Sequence, residues 1–344
     1  MPQKRTAPAN PHARLAEIVK AFPRVTVAVL ADLVADEFIY GEIARVSREA
    51  PVLILKHRER SVAPGGGANA ICNLAELGVS VLPSGVVGDD ENGHALLHEF
   101  RRRGIPLSGI ATLKGIATVT KTRILAGHTH SARQQVVRVD REPDAALEGR
   151  VLRELARAAR RFAEASDALL ISDYGYGAAS PDVWNAVRES LNGIPVTLDS
   201  RYRMLQYRGV TAATPNQPEV EEALQAHIGS DGRRLLAAGR TLLDRMRLQS
   251  LVITRGRAGM VAFARRRPPL AIPIHGSDQV ADVTGAGDTV IAVFTLALAG
   301  GASYLEAAHL ANYAGGIVVM KRRTATVTRP ELEAVLRREA TAQR

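Results

Sequence analysis

The sequence predicts an α/β fold: a three-layer α/β/α domain with a mostly parallel central sheet, carrying a small β-sheet lid. Three observations predict it. Residues 25–32 (VTVAVLAD) form a continuous apolar run that ends in an acid, the pattern of a strand buried on both faces. From about residue 147, strand-like runs alternate with helical patterns, and such alternation means parallel strands joined by helical crossovers. Residues 38–62 (FIYGEIARVSREAPVLILKHRERSV) are different. They alternate, carry many charges and hold no long helical pattern, which fits short, half-exposed antiparallel strands standing off the core.

The elements follow in order. The basic, proline-rich start reads as a disordered lead-in, and Pro11 to Phe22 as an amphipathic helix; residues 1–23 precede the main domain, taken as 24–340. GGGANAICNLAELG opens a helix on three glycines, VSVLPSGVVG is strand-like, and NGHALLHEFRRRG is a helix ending on Gly104. Residues 117–139 hold two β-rich runs joined by a polar segment, so the lid is expected from about 38–62 and part of 115–140. Then helix LEGRVLRELARAARRFAEA leads to strand DALLISD, and a helix after Ser180-Pro181 leads to strand IPVTLD. TAATPN leads to helix EVEEALQ, and helix DGRRLLAAGRTLLDRM to strand SLVITRG, followed by GMVAFA. Two apolar helices (286–299 and 303–320) and PELEAVLRREA close the chain.

Composition narrows the function. A hydrophobic content of 46% over 344 residues supplies a real core. No apolar run reaches the ~18–20 residues of a membrane span, and no secretory h-region follows the N-terminus, which points to a cytoplasmic protein with no membrane partner. The single cysteine, Cys72, excludes an internal disulfide framework and lies in an apolar helical pattern, as a small buried hydrophobe would. The net charge of +10 admits a nucleic acid or a phosphorylated substrate. Arg101 to Arg103, Arg160-Arg161 and Arg322-Arg323 fall near predicted helix ends, where cations complement the dipole. Aromatics are only 4% and form no basic stacking stripe, which argues against nucleic acid. His128 and His130 form an H-x-H with no third ligand nearby, so a polar turn outweighs a metal site.

Five stretches carry candidate chemistry. In ADVTGAGDT (281–289), Gly285, Ala286 and Gly287 precede an apolar helix. Small residues let backbone N–H groups approach a ligand, and a helix N-terminus favours negative charge. Asp288 at that spot would repel an anion, unless it faces a second reactant and takes the proton of a hydroxyl attacking phosphorus. A tight turn with a capping acid reads the same motif equally well. PGGGANA (64–70) again permits close backbone approach, and Asn69 adds a donor and an acceptor suited to sugar hydroxyls; a plain turn into a helix is the alternative. LADLVAD places Asp32 and Asp36 by the first strand end, where open parallel sheets bind ligands and acids can grip hydroxyls; helix capping or plain solvent exposure is the alternative. In TPNQPEVEEA, Asn216 and Glu219 suit Mg2+ or its waters, or a capping box. In VITRGRAGM, Thr254, Gly256 and Gly259 follow a strand as a nucleotide-contacting turn or a simple hairpin. No G-x-x-x-x-G-K-[ST] phosphate loop occurs.

PGGGANA, then N-x-x-E, then DVTGAGD, in this order, resemble the ribokinase-type (PfkB) carbohydrate kinases over residues 24–335. Within that family ADLVADEFIYGEIARVSREAPVL, RQQVVRVDRE, LLISDYGYG, LDSR and ANYAGGIVVMK look most like the kinases that phosphorylate C1 of D-glycero-β-D-manno-heptose 7-phosphate on the way to ADP-heptose for lipopolysaccharide cores. The resemblance implies a ribokinase-like fold and an ATP-dependent sugar kinase. Asp288 would be the base, and the amides of Gly285, Ala286 and Gly287 would stabilise the transferred phosphoryl group. Asp36, Gly66, Gly67 and Asn69 would bind the sugar. Asn216, Thr254, Gly256, Gly259 and Asn312, with Gly285 and Gly287, would line the ATP pocket. Asn216 and Glu219 would serve Mg2+, and Asp282 and Thr284 a K+ site. Lys121, Arg123 and Arg133 are the candidates for a substrate phosphate, with Arg138, Asp140 and Glu142 in the same network; three cations on one β-rich segment suit a phosphosugar better than a neutral sugar. A homodimer through the lid is also implied.

Several positions depart from the family pattern. The lysine of SDY-x-K-G is Tyr176, D-P-K is Asp199-Ser200-Arg201, the Gly-Asp of the first strand is Ala31-Asp32, the tyrosine before DVTGAGD is Ala281, and GHTHSA is inserted within 124–133. The alternatives are a kinase of the same fold acting on another sugar, sugar phosphate or nucleoside, or a non-catalytic regulator. With no H-x-G-H motif in 344 residues, the kinase step alone is expected of this chain, without the nucleotidyltransferase of bifunctional relatives.

Overall fold

The chain enters through helix α1 (Pro11–Ala21) into strand β1 (Thr26–Ala31), an interior strand of the large sheet. The structure is a computed structural model that describes residues 11–127, 134–143, 145–191, 193–276, 282–321 and 324–342. The first ten residues, His128, His130, Arg133, Ala281 and the Arg322-Arg323 pair lie outside them. The continuous apolar run of β1 has a direct cause. Val27, Val29 and Ala31 enter one buried cluster, and Ala28 and Leu30 enter the other. Successive strand residues point to opposite faces, so a strand covered on both sides is apolar throughout.

After Asp32 the chain runs out of the large sheet. Strands β2 (Leu33–Val46) and β3 (Leu53–Gly66) form a long antiparallel pair, and helix α2 (Gly67–Glu76) returns to the core. Strand β4 (Ser80–Gly88), helix α3 (Glu91–Arg102) and strand β5 (Ile110–Leu113) follow. The second excursion is β6 (Thr120–Gly127), parallel to β2, and β7 (Gln134–Arg141), antiparallel to β6. The lid is thus a four-stranded sheet in the order β3-β2-β6-β7.

The rest is regular alternation: α4 (Gly149–Glu164), β8 (Ala168–Asp173), α5 (Pro181–Arg188), β9 (Val196–Ser200), β10 (Ala212–Ala213), α6 (Gln217–Leu224), α7 (Gly232–Arg245) and β11 (Ser250–Thr254). Strands β12 (Met260–Ala264) and β13 (Leu270–Ile272) then turn antiparallel at the edge, and α8 (Ala286–Ala299), α9 (Tyr304–Val318) and α10 (Arg329–Ala342) end the chain. The nine strands run β13-β12-β11-β10-β9-β8-β1-β4-β5, parallel from β11 to β5. Residues of α1, α2, α3, α8, α9 and α10 build the cluster on one face, and those of α4 to α7 the cluster on the other. No described helix is long and apolar enough to cross a membrane.

The lid strands are longer than their charge alternation indicates. Leu33, Val34 and Ala35 are buried, so the first part of β2 is apolar like β1 and only its outer part shows alternation. The glycine run also divides. Gly65 and Gly66 end β3, and only Gly67 starts the helix. A Cβ on Gly67 would stand 2.5 Å from Ala31 Cβ and 2.8 Å from the Asp32 carbonyl oxygen, so the missing side chain is what lets α2 abut the end of β1.

Candidate active site

Helix α8 begins on Gly285, whose φ of 78° lies in the left-handed region that favours glycine. Asp288, in the first turn, does not cap the helix. Its carboxylate is buried and accepts from Tyr174 Oη at 2.7 Å and from Asn69 Nδ2 at 3.0 Å. Asn69 also donates to the Gly285 carbonyl at 3.2 Å, and Asn73 Nδ2 donates back to Asn69 Oδ1 at 3.2 Å. Burial pushes the Asp288 carboxyl up to about 7, with Asp199 and Asp36 adding repulsion, while the bonds from Tyr174 and Asn69 pull the other way. Desolvation wins over two hydrogen bonds, and the result is a carboxylate poised near neutrality, as a general base requires. Of the three small residues, the Ala286 N–H turns to the Val283 carbonyl at 3.3 Å.

The lid closes over this point. Asp36 on β2 is buried, accepts from Arg123 Nη1 at 2.7 Å and from Thr324 Oγ1 at 2.8 Å, and faces Gly65, where a Cβ would lie 2.6 Å from its carboxylate. Gly66 passes the Tyr174 ring, 3.2 Å from where its Cβ would be. Lys121 on β6 is buried with its ammonium 4.9 Å from the centroid of the Tyr174 ring. Burial, then the positive charge of Arg201, hold it below the usual lysine range. Arg138 pairs with Asp140 on the exposed strand β7, and Glu142 accepts from Tyr176 Oη at 2.9 Å. Lys121 and Arg123 are therefore brought together beside Asp36 and the Tyr174 ring, and Arg138, directly opposite Arg123 across the β6–β7 pair, is close enough for its charge to act on Lys121 and Asp36.

Asp32 is not open to a sugar. Its carboxylate accepts the backbone N–H groups of Tyr174, Tyr176, Ala178 and Ala179 at 2.8 to 3.2 Å. It is a buried clamp for the loop after β8, pushed up to about 6 by desolvation and by Asp173.

Across α8 from the lid lies a cavity of about 760 Å³. Its lining includes Asn216, Thr254, Gly256, Gly259, Gly287 and Asn312. The volume and the glycine-rich wall fit a nucleotide. Gly259 has φ 74°, and a Cβ there would stand 2.2 Å from the Ile272 carbonyl oxygen, so glycine is what permits the hairpin between β11 and β12. Asn312 ties this wall down by donating to the Pro273 carbonyl at 2.9 Å. Asn216 and Glu219 form a capping box at the start of α6: each side chain accepts the other's backbone N–H at 2.9 Å. The capping reading is what the hydrogen bonds show; beyond it, half-buried Glu219 lies near Asp199, and both carboxyls are pushed up by desolvation, with Asp199 repelled further by Glu219. That charge pattern suits a nucleotide-bound cation completed by phosphate and water. Among the described residues, no group of three or more His, Cys, Asp and Glu side chains could hold a metal alone. Asp282 Oδ1 accepts the Thr284 N–H at 2.9 Å in the loop before α8. Cys72 is buried, with its thiol pushed up to about 12, as an inert core residue.

Three site residues had escaped notice in the sequence as carriers of chemistry: Tyr174, Asp199 and Thr324. Tyr174 and Asp199 sit at the C-terminal ends of β8 and β9, where ligands bind in open parallel sheets, and that rule could have flagged both. Thr324 follows no local pattern.

A buried carboxylate raised toward neutrality at a glycine-opened helix start, with a nucleotide-sized cavity on one side and a lid carrying a buried lysine on the other, is the arrangement that phosphoryl transfer asks for. Residues 33–331 match the pfkB family of carbohydrate kinases. The chain is 39% identical over 311 residues to the bifunctional protein HldE of Trichlorobacter lovleyi, covering 90% of this chain and 62% of that one. It is 40% identical over 317 residues to that of Geobacter metallireducens, with 90% and 62% covered. The chain thus spans a little under two thirds of the length of these relatives. The fold is that of Arabidopsis thaliana ribokinase complexed with ribose and ATP (TM-score 0.71, 18% identity, 91% of this chain and 98% of that one). It is equally that of phosphofructokinase-2 from Escherichia coli in complex with potassium (TM-score 0.70, 17% identity, the same coverage). The chain belongs to the pfkB family of carbohydrate kinases.

Proposed function

We propose that this kinase transfers the γ-phosphoryl group of ATP to C1 of D-glycero-β-D-manno-heptose 7-phosphate, giving the 1,7-bisphosphate that precedes ADP-heptose. The observation that carries the reading is the placement of Asp288 between the nucleotide-sized cavity and the lid cations. Asp288 takes the proton of the anomeric hydroxyl as its oxygen attacks phosphorus. Backbone amides at the start of α8 hold the charge on the transferred group. Asp36 and Asn69 orient the sugar. Lys121 and Arg123 receive its distal phosphate, with Arg133 as a further candidate from the sequence. Asn216 and Glu219 serve the Mg2+ that accompanies ATP, and Asp282 and Thr284 are the place for a K+ ion.

The heptose assignment rests on the sequence resemblance and on likeness to relatives named HldE. A cytoplasmic site of action follows from the use of ATP. Val136, Val137 and Val139 on β7 are 43%, 46% and 53% exposed, apolar surface that supports a homodimer through the lid.

One observation favours a second acceptor class. Tyr176 replaces the family lysine and bonds Glu142, so a phenol and a carboxylate line the 530 Å³ pocket beside Tyr174 where a cation was expected. A non-phosphorylated or differently phosphorylated sugar fits that chemistry. The test is ADP release with a panel of acceptors, followed by identification of the product. Turnover of the heptose 7-phosphate above all others supports the proposal. Turnover of neutral sugars alone overturns it, together with the roles of Lys121 and Arg123.

A further inference from the structure

We propose that Tyr174 is a positioning residue for phosphoryl transfer: its fixed phenol donates one hydrogen bond to Asp288, holding the base in its ionised form and leaving a defined lone pair for the acceptor hydroxyl. The inference rests on the reading of Asp288 as the base. It begins from the carboxylate's hydrogen bonds. Oδ1 accepts from Tyr174 Oη at 2.7 Å, and Oδ2 accepts from Asn69 Nδ2 at 3.0 Å. Each carboxylate oxygen has two lone pairs, so one position on each remains after these bonds. An acceptor hydroxyl must use one of the two.

A tyrosine at this point could instead be a plug that swings out when substrate arrives. Its surroundings argue against that. Its backbone N–H is bound to Asp32 Oδ2 at 2.9 Å, and the same carboxylate holds the N–H groups of Tyr176, Ala178 and Ala179. Lys121 covers one part of the ring at 4.9 Å from its centroid. Gly66, without a side chain, lets β3 press against the ring edge. Asp32 thus anchors the backbone of Tyr174, while Lys121 and Gly66 confine its ring. Desolvation, then the charge of Asp288, raises the phenol's pKa well above its ordinary 10.0, so it stays protonated as the donor.

The charged groups facing Asp288 are Asp36 from the lid and Asp199 from the end of β9, both of which oppose its ionisation. Asn69 from α2 and Tyr174 from the β8 loop favour it. Removing the phenol oxygen should therefore shift protonation of the base toward higher pH without emptying the site. Tyr174→Phe keeps the ring, its packing on Gly66 and the surface under Lys121.

Two measurements separate this proposal from the reading beneath it. Isotope-edited infrared titration of protein carrying carboxyl-labelled aspartate, with the band assigned by its loss in Asp288→Asn, needs no acceptor. Tyr174→Phe should move that titration up by about one pH unit, the effect of losing one charge-assisted bond. With the acceptor that the panel identifies, the acid limb of kcat/KM should move by the same amount, lowering the rate about tenfold below the limb and recovering above it. An unmoved Asp288 band overturns the proposal. So does an activity loss that is equal at every pH, because a merely structural defect behaves that way. If Asp288→Asn itself retains activity, the base assignment fails, while the titration still reports on the bond.

Discussion

Asn69 Nδ2 lies 3.0 Å from Asp288 Oδ2, joining the first turn of α2 to the first turn of α8 across 219 residues of chain. The two glycine-opened helices that looked like separate motifs are one site. Asn69 also grips the Gly285 carbonyl, so the helix start and the Asp288 carboxylate are held by a single amide. A side chain on Gly285 would put Cβ 2.5 Å from Asn69 Nδ2, which ties the glycine to the asparagine as firmly as to the turn.

Asp288→Asn should lower kcat by about 10²–10⁴-fold, the range for loss of a positioned general base. The cavity that fits the nucleotide is built by the β11–β12 turn, α9, the loop before α8 and Ala286, Gly287 and Val290 of α8, while Asp288 itself does not line it, so nucleotide affinity should change little. Single-turnover ADP formation and calorimetric ATP binding, measured on the same preparation, check both halves. Loss of binding together with rate would count against the division of roles.

The pH dependence follows from burial. The Asp288 carboxyl is raised from its ordinary 3.8 to about 7, and it works as a base only when ionised. The rate constant kcat/KM should therefore climb with unit slope from pH 5 and level off above about 7. An acid limb near 4 would show that the carboxylate is solvated in the working enzyme.

Lys121 and Arg123 differ in what they lose when an anion is absent. Arg123 already pairs with Asp36, whereas burial and Arg201 hold the Lys121 ammonium below its usual range. A bound phosphate would restore to Lys121 the charge partner that burial denies it. Lys121→Met should thus raise KM for a phosphorylated acceptor about 10–100-fold, the worth of one charge-assisted contact, with KM for ATP unchanged. Arg123→Lys should act more broadly, because loosening Asp36 disturbs the sugar's hydroxyl contact as well. Equal effects of Lys121→Met on phosphorylated and neutral acceptors would remove it from the phosphate site.

The sequence made legible what short-range pattern controls. β1 is apolar because both its faces are covered, and α4 is amphipathic because one face is exposed, so each announced itself. The three-residue β13 and four-residue β5 are too short to show a period. Gly285 and Gly67 were visible as glycines because tight approach requires them. Tyr174 and Thr324 were not, since their roles arise from contacts with Asp288 and Asp36 that are 114 and 288 residues away. Asp32 shows the reverse error: an acid at a strand end has the look of a ligand, but four backbone N–H groups already use its carboxylate.

The burial that raises the Asp288 carboxyl should also be readable as stability. A carboxyl whose pKa is higher in the folded chain than in the unfolded chain binds its proton more tightly when folded. Its contribution to stability is therefore greatest at low pH and is lost as pH rises through the folded value, about 7 here. Asp288→Asn is neutral at every pH and escapes that loss. Other carboxyls titrate in the same window, among them Asp32 with a value near 6, so wild-type stability alone cannot isolate Asp288. The difference between variant and wild type removes the carboxyls that do not act on Asp288, Asp32 among them, and leaves Asp288 with the neighbours it repels, Asp199 and Asp36. Asp288→Asn should gain about 2–3 kcal/mol on wild type between pH 5 and pH 8, whatever its absolute stability at either value. Urea unfolding of both proteins at the two pH values measures that double difference. A flat difference would mean that Asp288 is ionised throughout, and the acid limb of the rate profile would then have to belong to another group.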